Sequence, residues 1–315
     1  MSTSEITFSV VIPAYNESET LQHCYKKISP ILEAKFKNSY EIIFVDDGSK
    51  DQTYSELKKI ASNDSKVKCI ILSRNFGKEA AMSAGLLHTT GNFVSVIDCD
   101  LQDPPEIMIS MYDYLLEQNC DVVYGVRTER LGETFLKKLT ANLFYRFIGK
   151  LSIVDIPRNT GDFRVMKKEV VAAINELVET QRFMKGIFAW VGFNQIKFEY
   201  KREARVSGTS KFNFIKLWNF ALEGITSFTD IPLKVATYLG FFLSISSIFT
   251  MFCYIIKYLI VGDKIQGFLT LLISILFIGG VQLMFLGILG EYLGRTFFES
   301  KRRPIFIAKE KMNIK

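Results

Sequence analysis

Four short apolar runs alternate with helical segments in the amino-terminal part of the chain, and each run ends in a cluster of polar side chains. The runs are residues 8–12, 41–45, 67–72 and 93–97. Continuous apolar strands that alternate with helices are typical of a mostly parallel sheet with helices on both faces. Ligands bind to such sheets beyond the carboxyl ends of the strands. The sequence therefore predicts an α/β domain with a binding site at one edge of the sheet.

The cluster after the fourth run contains two carboxylates, Asp98 and Asp100. They are two residues apart, so an extended backbone would project both in the same direction. With phosphate oxygens they would form the oxygen ligand set that Mg²⁺ and Mn²⁺ prefer. Taken alone, the pair is also compatible with a polar strand end before a turn. Three further clusters at the same predicted edge favour the binding site: residues 13–17, 46–49 and 74–78.

Short motifs and charge argue against several classes of protein. The chain has no G-x-G-x-x-G after the first run and no G-x-x-x-x-G-K-[ST], which disfavours a dinucleotide-dependent oxidoreductase and a P-loop ATPase. Its five cysteines are scattered without a C-x-x-C, which argues against a disulfide framework and a zinc site. The net charge of +6 is modest, and much of the basic excess lies beside apolar segments. An anionic membrane surface is therefore a better partner than nucleic acid.

Two long segments lack charged side chains, residues 235–256 and 265–290. Each exceeds the roughly 20 residues that a helix needs to cross the hydrocarbon of a bilayer. Basic residues before the first segment and after the second outnumber those in the short connection, which predicts cytoplasmic ends for the pair. Residues 212–232 are aromatic and amphipathic, as in helices that lie in the membrane interface.

The second uncharged segment carries a track of small residues that continues beyond its end. The glycines of this track suit close packing of helices between subunits, which predicts a homo-oligomer, although ordinary membrane glycine content is the alternative. They are Gly279, Gly280, Gly287, Gly290 and Gly294. Residues 304–307 are interpreted as a short strand that docks on a neighbour.

Three ordered segments resemble the signatures of family 2 glycosyltransferases with the GT-A fold. They are residues 10–17, 45–53 and 98–105. More narrowly, they resemble the polyprenyl-phosphate branch, which includes dolichol-phosphate mannose synthases and bacterial undecaprenyl-phosphate (bactoprenol) glucosyltransferases. Residues 159–164 match the Gly-Asp-Phe-Arg element of that branch, and residues 205–211 match its R-x-x-G-x-S-K element. The resemblance spans nearly the whole chain.

The resemblance implies a domain organisation. A Rossmann-like GT-A catalytic domain with a mostly parallel sheet would occupy residues 1–211. Interfacial amphipathic helices would follow at 212–232, two transmembrane helices at 233–294 and a basic cytoplasmic tail at 295–315. The protein would be a multi-pass protein of the inner membrane, with both termini and the catalytic domain in the cytoplasm.

The resemblance also implies roles for individual residues. The nucleotide-sugar pocket would be lined by Pro13, Tyr15, Glu17, Asp47, Arg74 and Asp98. The divalent cation, Mg²⁺ or Mn²⁺, would be bound by Asp98, Asp100 and Gln102. The lipid phosphate would be bound by Arg127, Lys138, Arg205 and Lys211. The catalytic residues would be Asp162, Asp100 and Arg205.

Some of these roles have alternatives. Lys138 lies in a basic, aromatic segment that is also typical of a solvated amphipathic helix. Arg205 and Lys211 suit the donor diphosphate, the lipid phosphate or ordinary lipid headgroups. Asp162 would steer the acceptor or stabilise positive charge on the anomeric carbon, and a simple turn residue is the alternative. It need not be a strong base, because a phosphate monoester is already anionic at neutral pH. Asp46, beside Asp47, is either a pocket residue or a turn residue.

The function implied by the resemblance is inverting transfer of a sugar from a UDP-sugar to undecaprenyl or another polyprenyl phosphate, in the service of a cell-envelope polysaccharide. Glucose from UDP-glucose is the first choice. N-acetylglucosamine, modified arabinose and mannose are the alternatives, because the shape of the pocket decides the sugar. A processive polysaccharide synthase is disfavoured, since two spans are too few for a channel. A non-catalytic membrane scaffold of the same fold is the alternative from a different class of protein.

Overall fold

The computed structural model describes residues 6–127, 160–180, 182–200, 231–261 and 267–314. The chain divides into two compact units. One is built around a sheet and includes the carboxyl-terminal residues from Arg302 onwards, and the other contains two long helices.

The sheet unit begins with four repeats of a strand followed by a helix. Their bounds are β1 Phe8–Ala14, α1 Leu21–Phe36, β2 Tyr40–Asp46, α2 Thr53–Asn63, β3 Val67–Leu72, α3 Lys78–Leu87, β4 Phe93–Val96 and α4 Pro105–Glu117. The ends of these strands agree with the predicted apolar runs to within two residues. The prediction of alternating strands and helices is confirmed.

The remaining elements of this unit complete the sheet and add two short helices. Their bounds are β5 Val122–Arg127, β6 Thr160–Lys167, α5 Lys168–Glu176, α6 Met184–Trp190, β7 Gln195–Tyr200 and β8 Ala308–Met312. The described residues form one sheet of eight strands in the order β7-β5-β6-β4-β1-β2-β3-β8. Strands β4, β1, β2 and β3 are parallel to one another, as are β5 and β7, while β6 and β8 are antiparallel to their neighbours. The prediction of a mostly parallel sheet is confirmed.

The register of the central strands decides where the binding edge lies. Ala14 is paired with Asp46 at the carboxyl ends of β1 and β2, and Val11 is paired with Val96 on β4. The loops that follow these three strands therefore leave the sheet at the same edge. Sequence reasoning placed the polar clusters at this edge.

Helices cover both faces of the central strands. On β2, Ile42 and Phe44 belong to a buried cluster with residues of α1, α2 and α4, whereas Ile43 and Val45 belong to a second cluster with α3. Neighbouring residues of a strand point to opposite faces, so a strand buried on both faces must be apolar throughout. Each large side chain of this kind contributes roughly 1.5–3 kcal/mol on full burial.

A buried carboxylate joins the strands at the opposite, amino edge of the sheet. Glu41 is 2% exposed and accepts hydrogen bonds from Ser9 Oγ (2.6 Å), Thr90 N (2.7 Å) and Thr90 Oγ1 (2.9 Å). Lys68 forms an ion pair with the same carboxylate. We call these four residues the Glu41 network. Both carboxylate oxygens have partners, which is the condition for a charge to be tolerated in a core.

The strand β8 covers the edge of the sheet at β3. It runs antiparallel to β3, and Asn313 Nδ2 donates to the carbonyl oxygens of Ala61 and Val67, both at 2.8 Å. The prediction of a strand at residues 304–307 was wrong in its position, because the strand begins at Ala308, and it pairs with β3 of the same chain. An exposed edge strand invites pairing with other chains, and β8 removes this risk for β3.

The second unit contains the helices α7 Ile231–Val261 and α8 Phe268–Ser300. Leu233–Thr250 and Phe277–Ser300, each with a mean hydropathy of 1.4, are long and apolar enough to cross a membrane. Large apolar side chains on these helices, such as Tyr238 (71% exposed), face outwards. Such a surface is typical of a segment that contacts lipid. The predicted interfacial helices at 212–232 lie almost entirely outside the described residues.

Candidate functional site

A cleft of about 300 Å³ opens at the carboxyl edge of β1, β2 and β4. The loops that follow these strands and the start of α3 form its walls. Six of the residues predicted to bind the nucleotide sugar or the metal line it: Pro13, Tyr15, Glu17, Asp47, Asp98 and Asp100. The structure thus brings together side chains that are up to 87 residues apart in sequence.

The loop after β1 carries Tyr15 and Glu17 and is fastened to the loop after β2. Asn16 has a positive φ of 54°, and its backbone N–H donates to Ser49 Oγ at 2.9 Å. The backbone N–H of Glu17 donates to Thr53 Oγ1, also at 2.9 Å. These bonds hold the backbone of the first predicted pocket segment in place.

Asp47 fixes the loop that precedes α3. Its two carboxylate oxygens accept hydrogen bonds from the backbone N–H groups of Phe76 (2.7 Å) and Gly77 (2.9 Å). Burial raises the pKa of Asp47, and the two N–H groups oppose this shift. Gly48 has a φ of 66°, and a Cβ there would lie 2.4 Å from the carbonyl carbon of Arg74. Glycine is therefore required where the two loops meet.

Asp46 and Arg74 lie beside Asp47 and its loop, and each is bonded to the backbone of the protein. Asp46 accepts a hydrogen bond from the backbone N–H of Ser49 at 3.0 Å, so it acts as a turn residue. Arg74 is exposed, donates to the carbonyl oxygen of Asn75 at 3.0 Å and lies over the ring of Phe76. Its predicted contact with the nucleotide stays a prediction.

Asp100 lies in a turn rather than on a strand. β4 ends at Val96, and Leu101 has a φ of 48°. The prediction that Asp98 and Asp100 lie on an extended backbone and project in the same direction was therefore wrong. The turn brings Gln102 back onto Asp100, with Gln102 Nε2 2.5 Å from Asp100 Oδ2. The side-chain oxygen of Gln102, Oε1, is buried without a hydrogen-bond partner among the described residues.

Lys78 connects the cleft to Asp162. Its ammonium is 2.7 Å from Asp98 Oδ1 and 2.6 Å from Asp162 Oδ2. Burial raises the pKa of Asp98 despite the nearby ammonium. Burial acts in the same direction on Asp162, but the positive charges of Lys78, Arg164 and Lys185 together outweigh it, and the pKa lies below its ordinary value. Asp162 therefore stays ionised at neutral pH. Its Oδ1 atom is buried and lacks a partner in the described part of the chain.

The guanidinium of Arg127 is bonded within the protein. It donates to Asp103 Oδ2 at 3.0 Å and Oδ1 at 3.3 Å, and the Tyr200 hydroxyl donates to the same carboxylate at 2.6 Å. Asp103, which is 2% exposed, follows directly after Gln102. Arg127 therefore anchors the turn that carries the predicted metal ligands. Its predicted contact with the lipid phosphate stays a prediction.

Sequence reasoning missed two residues beside the cleft, Lys78 and Glu79. Glu79 Oε2 accepts a hydrogen bond from the backbone N–H of Met184 at 3.3 Å. Burial raises the pKa of Glu79 to about 7, and the charge of Asp162 adds to this shift. Lys78 could have been found, because it ends the third polar cluster at the binding edge. The other predicted cations, Lys138, Arg205 and Lys211, lie outside the described residues.

Comparison with known proteins assigns the family. Residues 9–174 match the model of glycosyl transferase family 2, which is more than half of the chain. The chain belongs to glycosyl transferase family 2. The family prediction is confirmed.

Individual relatives of this family 2 glycosyltransferase match it along nearly its whole length. An uncharacterized glycosyltransferase from Synechocystis sp. is 47% identical over 97% of this chain and 95% of that protein. The bactoprenol glucosyl transferase of Shigella phage SfV is 46% identical over 96% of this chain and 97% of the phage protein. A solved structure of glucosyl-3-phosphoglycerate synthase from Mycobacterium tuberculosis, in complex with phosphoglyceric acid, is 21% identical over 70% of this chain and 78% of that chain, with a TM-score of 0.48. The family assignment depends on the sequence matches alone.

The residues of the cleft fit a divalent cation in a family 2 glycosyltransferase. Asp98 and Asp100 line the cleft and offer carboxylate oxygens. Gln102, which is bonded to Asp100 through Nε2, has a buried Oε1 acceptor without a donor among the described residues. The described residues contain no group of three or more His, Cys, Asp or Glu side chains that could hold a metal alone. Mg²⁺ is commonly bound by one or two carboxylates together with substrate phosphates, so such a group is not required.

Proposed function

We propose that this family 2 glycosyltransferase transfers glucose from UDP-glucose to a polyprenyl phosphate. The observation that carries the proposal is the 46% identity to the bactoprenol glucosyl transferase of Shigella phage SfV, over 96% of this chain. A match of that length includes both the sheet unit and the two apolar helices. The similarity therefore extends beyond the nucleotide-binding fold that family 2 members share.

The donor would bind in the cleft. Carboxylates such as Glu17 and Asp47 accept hydrogen bonds from base N–H groups and ribose hydroxyls. Asp47 is already held by two backbone N–H groups, and each of its oxygens keeps a further lone pair for a ligand. Pro13 and Tyr15 supply apolar walls beside these acceptors. This arrangement supports a nucleoside in the part of the cleft nearest β1 and β2.

The diphosphate of the donor would lie toward Asp98 and Asp100. A bound Mg²⁺ or Mn²⁺, held by Asp98, Asp100 and Gln102, would supply positive charge that stabilises the departing diphosphate. The chain adds a charge of its own, the Lys78 ammonium, which lines the same cleft. Positive groups placed in advance at a leaving group are usually a large contribution to catalysis.

The acceptor phosphate would attack the anomeric carbon from the face opposite the diphosphate. This geometry inverts the configuration, so an α-linked donor gives a β-linked lipid product. Asp162 is the carboxylate that would stabilise positive charge on that carbon, because Lys78 and two further nearby cations keep it ionised. A strong base is not needed, since the acceptor phosphate is already anionic. Arg127, Lys138, Arg205 and Lys211 remain the proposed contacts of the lipid phosphate, and Arg205 the proposed third catalytic residue.

The proposed location is the cytoplasmic leaflet of the inner membrane, where α7 and α8 would both cross the bilayer. β8 is hydrogen-bonded to β3, so both lie on the same side of any membrane. The chain between β7 and β8 therefore crosses an even number of times, and two crossings by two apolar helices meet this condition. The catalytic unit and both termini would be cytoplasmic. A homo-oligomer remains a prediction from the glycine track.

The test is a transfer assay with the purified full-length protein, radiolabelled UDP-glucose, undecaprenyl phosphate and Mg²⁺ or Mn²⁺. We expect label in the lipid extract, released by mild acid as a single glucose. Parallel reactions with UDP-N-acetylglucosamine, a UDP-linked modified arabinose and GDP-mannose decide the sugar. A labelled polymer would instead indicate a processive synthase. No lipid-extractable label with any of these donors would contradict the proposal.

A further inference from the structure

The side chain of Lys78 lies in the part of the cleft where a metal cation would be expected to bind. The ammonium of Lys78 lies between Asp98 Oδ1 (2.7 Å) and Asp162 Oδ2 (2.6 Å). The side chain of Lys78 is 44% exposed and lines the cleft, whereas that of Asp162 is 11% exposed. The ammonium can therefore be reached by a ligand in the cleft, while the carboxylate behind it is largely shielded.

The fold fixes the position of Lys78 through the donor pocket. Lys78 is the first residue of α3, and the two residues before it, Phe76 and Gly77, donate their backbone N–H groups to Asp47. Gly77 has a φ of 99°, a conformation that suits glycine and turns the chain into the helix. The carboxylate proposed to contact the nucleoside thus also places the ammonium. The contact of Asp47 with the nucleoside is therefore structurally linked to the position of the Lys78 ammonium near the diphosphate.

Lys78 and a divalent cation would need the same carboxylate. Asp98 is a proposed metal ligand, and its Oδ1 already has a positively charged partner. A carboxylate whose charge is balanced by an ammonium attracts a second cation less strongly, because the two cations repel each other. A donor diphosphate changes this balance, since its negative charge interacts favourably with both cations.

We propose that Lys78 is a positioning residue that holds Asp98 and Asp162 together before the donor binds and opposes binding of the divalent cation until a nucleoside diphosphate is present. The inference rests on the nucleotide and metal site proposed above. It requires positive coupling between nucleotide and metal: each ligand binds more tightly when the other is bound. Removing the ammonium should tighten metal binding in the absence of nucleotide and weaken binding of the nucleotide.

The experiment compares the full-length protein in detergent with its Lys78→Met and Lys78→Arg variants. Mn²⁺ binding is measured by electron paramagnetic resonance with and without UDP, and UDP binding by calorimetry in the presence of Mg²⁺. For Lys78→Met we expect about tenfold tighter Mn²⁺ binding without UDP and about tenfold weaker UDP binding, within the usual range of coupling between sites. Lys78→Arg keeps the positive charge and should stay close to the unmodified protein in both measurements.

Lys35→Met is the matched control. Lys35 also pairs with an aspartate, Asp113, at 2.7 Å, and its side chain is 38% exposed, but it does not line the cleft. This variant should change neither measurement. If Lys78→Met does not fold, as judged by its melting curve, Lys78→Gln replaces it with the same expected results.

Other results would overturn the inference. Weaker binding of both ligands, or no change in either, would show that Lys78 does not compete with the metal. If the unmodified protein binds neither UDP nor Mn²⁺, the proposed donor site fails, and the inference fails with it. If the unmodified protein binds both, but Lys78→Met does not combine tighter Mn²⁺ binding with weaker UDP binding, the inference alone fails.

Discussion

At the amino edge of the sheet both oxygens of Glu41 have hydrogen-bond partners, whereas at the carboxyl edge Asp162 has a buried oxygen without one among the described residues. Each carboxylate also has a lysine partner. Lys68, beside Glu41, has a side chain that is 17% exposed, and Lys78, beside Asp162, has one that is 44% exposed and faces the cleft. The two clusters resemble each other in composition and differ in how completely they are bonded.

The difference indicates what each cluster does. A buried polar atom without a partner costs about 1–3 kcal/mol, so folded proteins keep few of them. A fully bonded cluster stabilises the fold, and an incompletely bonded one that faces a cleft is suited to a ligand. Changes in the Glu41 network should therefore affect stability, and changes in the cleft should affect turnover.

The largest expected effect is on stability. Glu41→Ala would leave Lys68, Ser9 and Thr90 without their common partner in the core. Breaking a buried ion pair in this way typically costs about 3–5 kcal/mol. We expect a melting temperature lower by at least several degrees, measured in detergent, with the KM for the sugar donor unchanged in the folded fraction.

Glu33→Ala is the control for this prediction. Glu33 pairs with Lys66 at the surface, where its side chain is 48% exposed. Such pairs are worth about 0–1 kcal/mol. If both variants melted at the temperature of the unmodified protein, the Glu41 network would not be the stabilising cluster that its bonding indicates.

The next effect is on turnover. Asp100→Ala removes a proposed metal ligand and the partner of the Gln102 amide. We expect transfer of label to lipid to fall by roughly 10²–10³-fold, the range found when one stabilising group of a transition state is lost. The melting temperature should fall by less than in Glu41→Ala, because Asp100 is exposed and its loss leaves the Gln102 amide, rather than a buried charge, without its partner.

Asp113→Ala, which removes a surface carboxylate paired with Lys35, should leave turnover unchanged. Unchanged product yield in Asp100→Ala would favour the alternative of a non-catalytic scaffold. If Asp100→Ala lost both turnover and as much stability as Glu41→Ala, the proposed difference between a stabilising cluster and a ligand-binding cluster would be contradicted.

The smallest effect is a dependence of stability on pH. Burial raises the pKa of Glu79 from its ordinary value of 4.5 to about 7. The folded chain therefore keeps a proton that the unfolded chain has lost, and this stabilisation is full below pH 4.5 and is lost as the pH rises through about 7. Since the side chain is partly exposed to solvent, we discount the effect to about 1 kcal/mol, or about 2–4 °C in melting temperature.

Melting curves at pH 5 and pH 8 test this prediction. The unmodified protein should lose more stability than Glu79→Gln between these values. Glu106→Gln, on the exposed surface of α4, is the control and should behave like the unmodified protein. Equal loss of stability in the Glu79→Gln variant would mean that other groups cause the pH dependence.

The sequence predicted what local patterns encode. Val67–Leu72 is a strand at its predicted bounds because an apolar run between polar segments can be buried in few other ways. The cleft was predicted at the correct edge because the ends of parallel strands meet there. The turn at Leu101 was not foreseen, since a positive φ at leucine has no sequence signal.

Pairings between distant residues could not be predicted from the sequence. Lys78 and Asp162 are 84 residues apart, and Tyr200 and Asp103 are 97 apart. Which charged side chains meet depends on the order of strands, and a single sequence does not give that order. β8 was misplaced for a related reason, because its alternating, charged residues lack the apolar run that marks the central strands.

The position of β8 has a consequence for biosynthesis. A ribosome makes residues 308–312 only after both apolar helices, yet their partner β3 is made before them. During translation β3 is therefore an open edge of the nascent sheet, exposed to other chains until the residues of β8 have been made and have paired with it. With α7 and α8 in a bilayer, as proposed above, completion of the sheet would depend on their insertion, and a chain stalled at that step would keep an edge prone to aggregation.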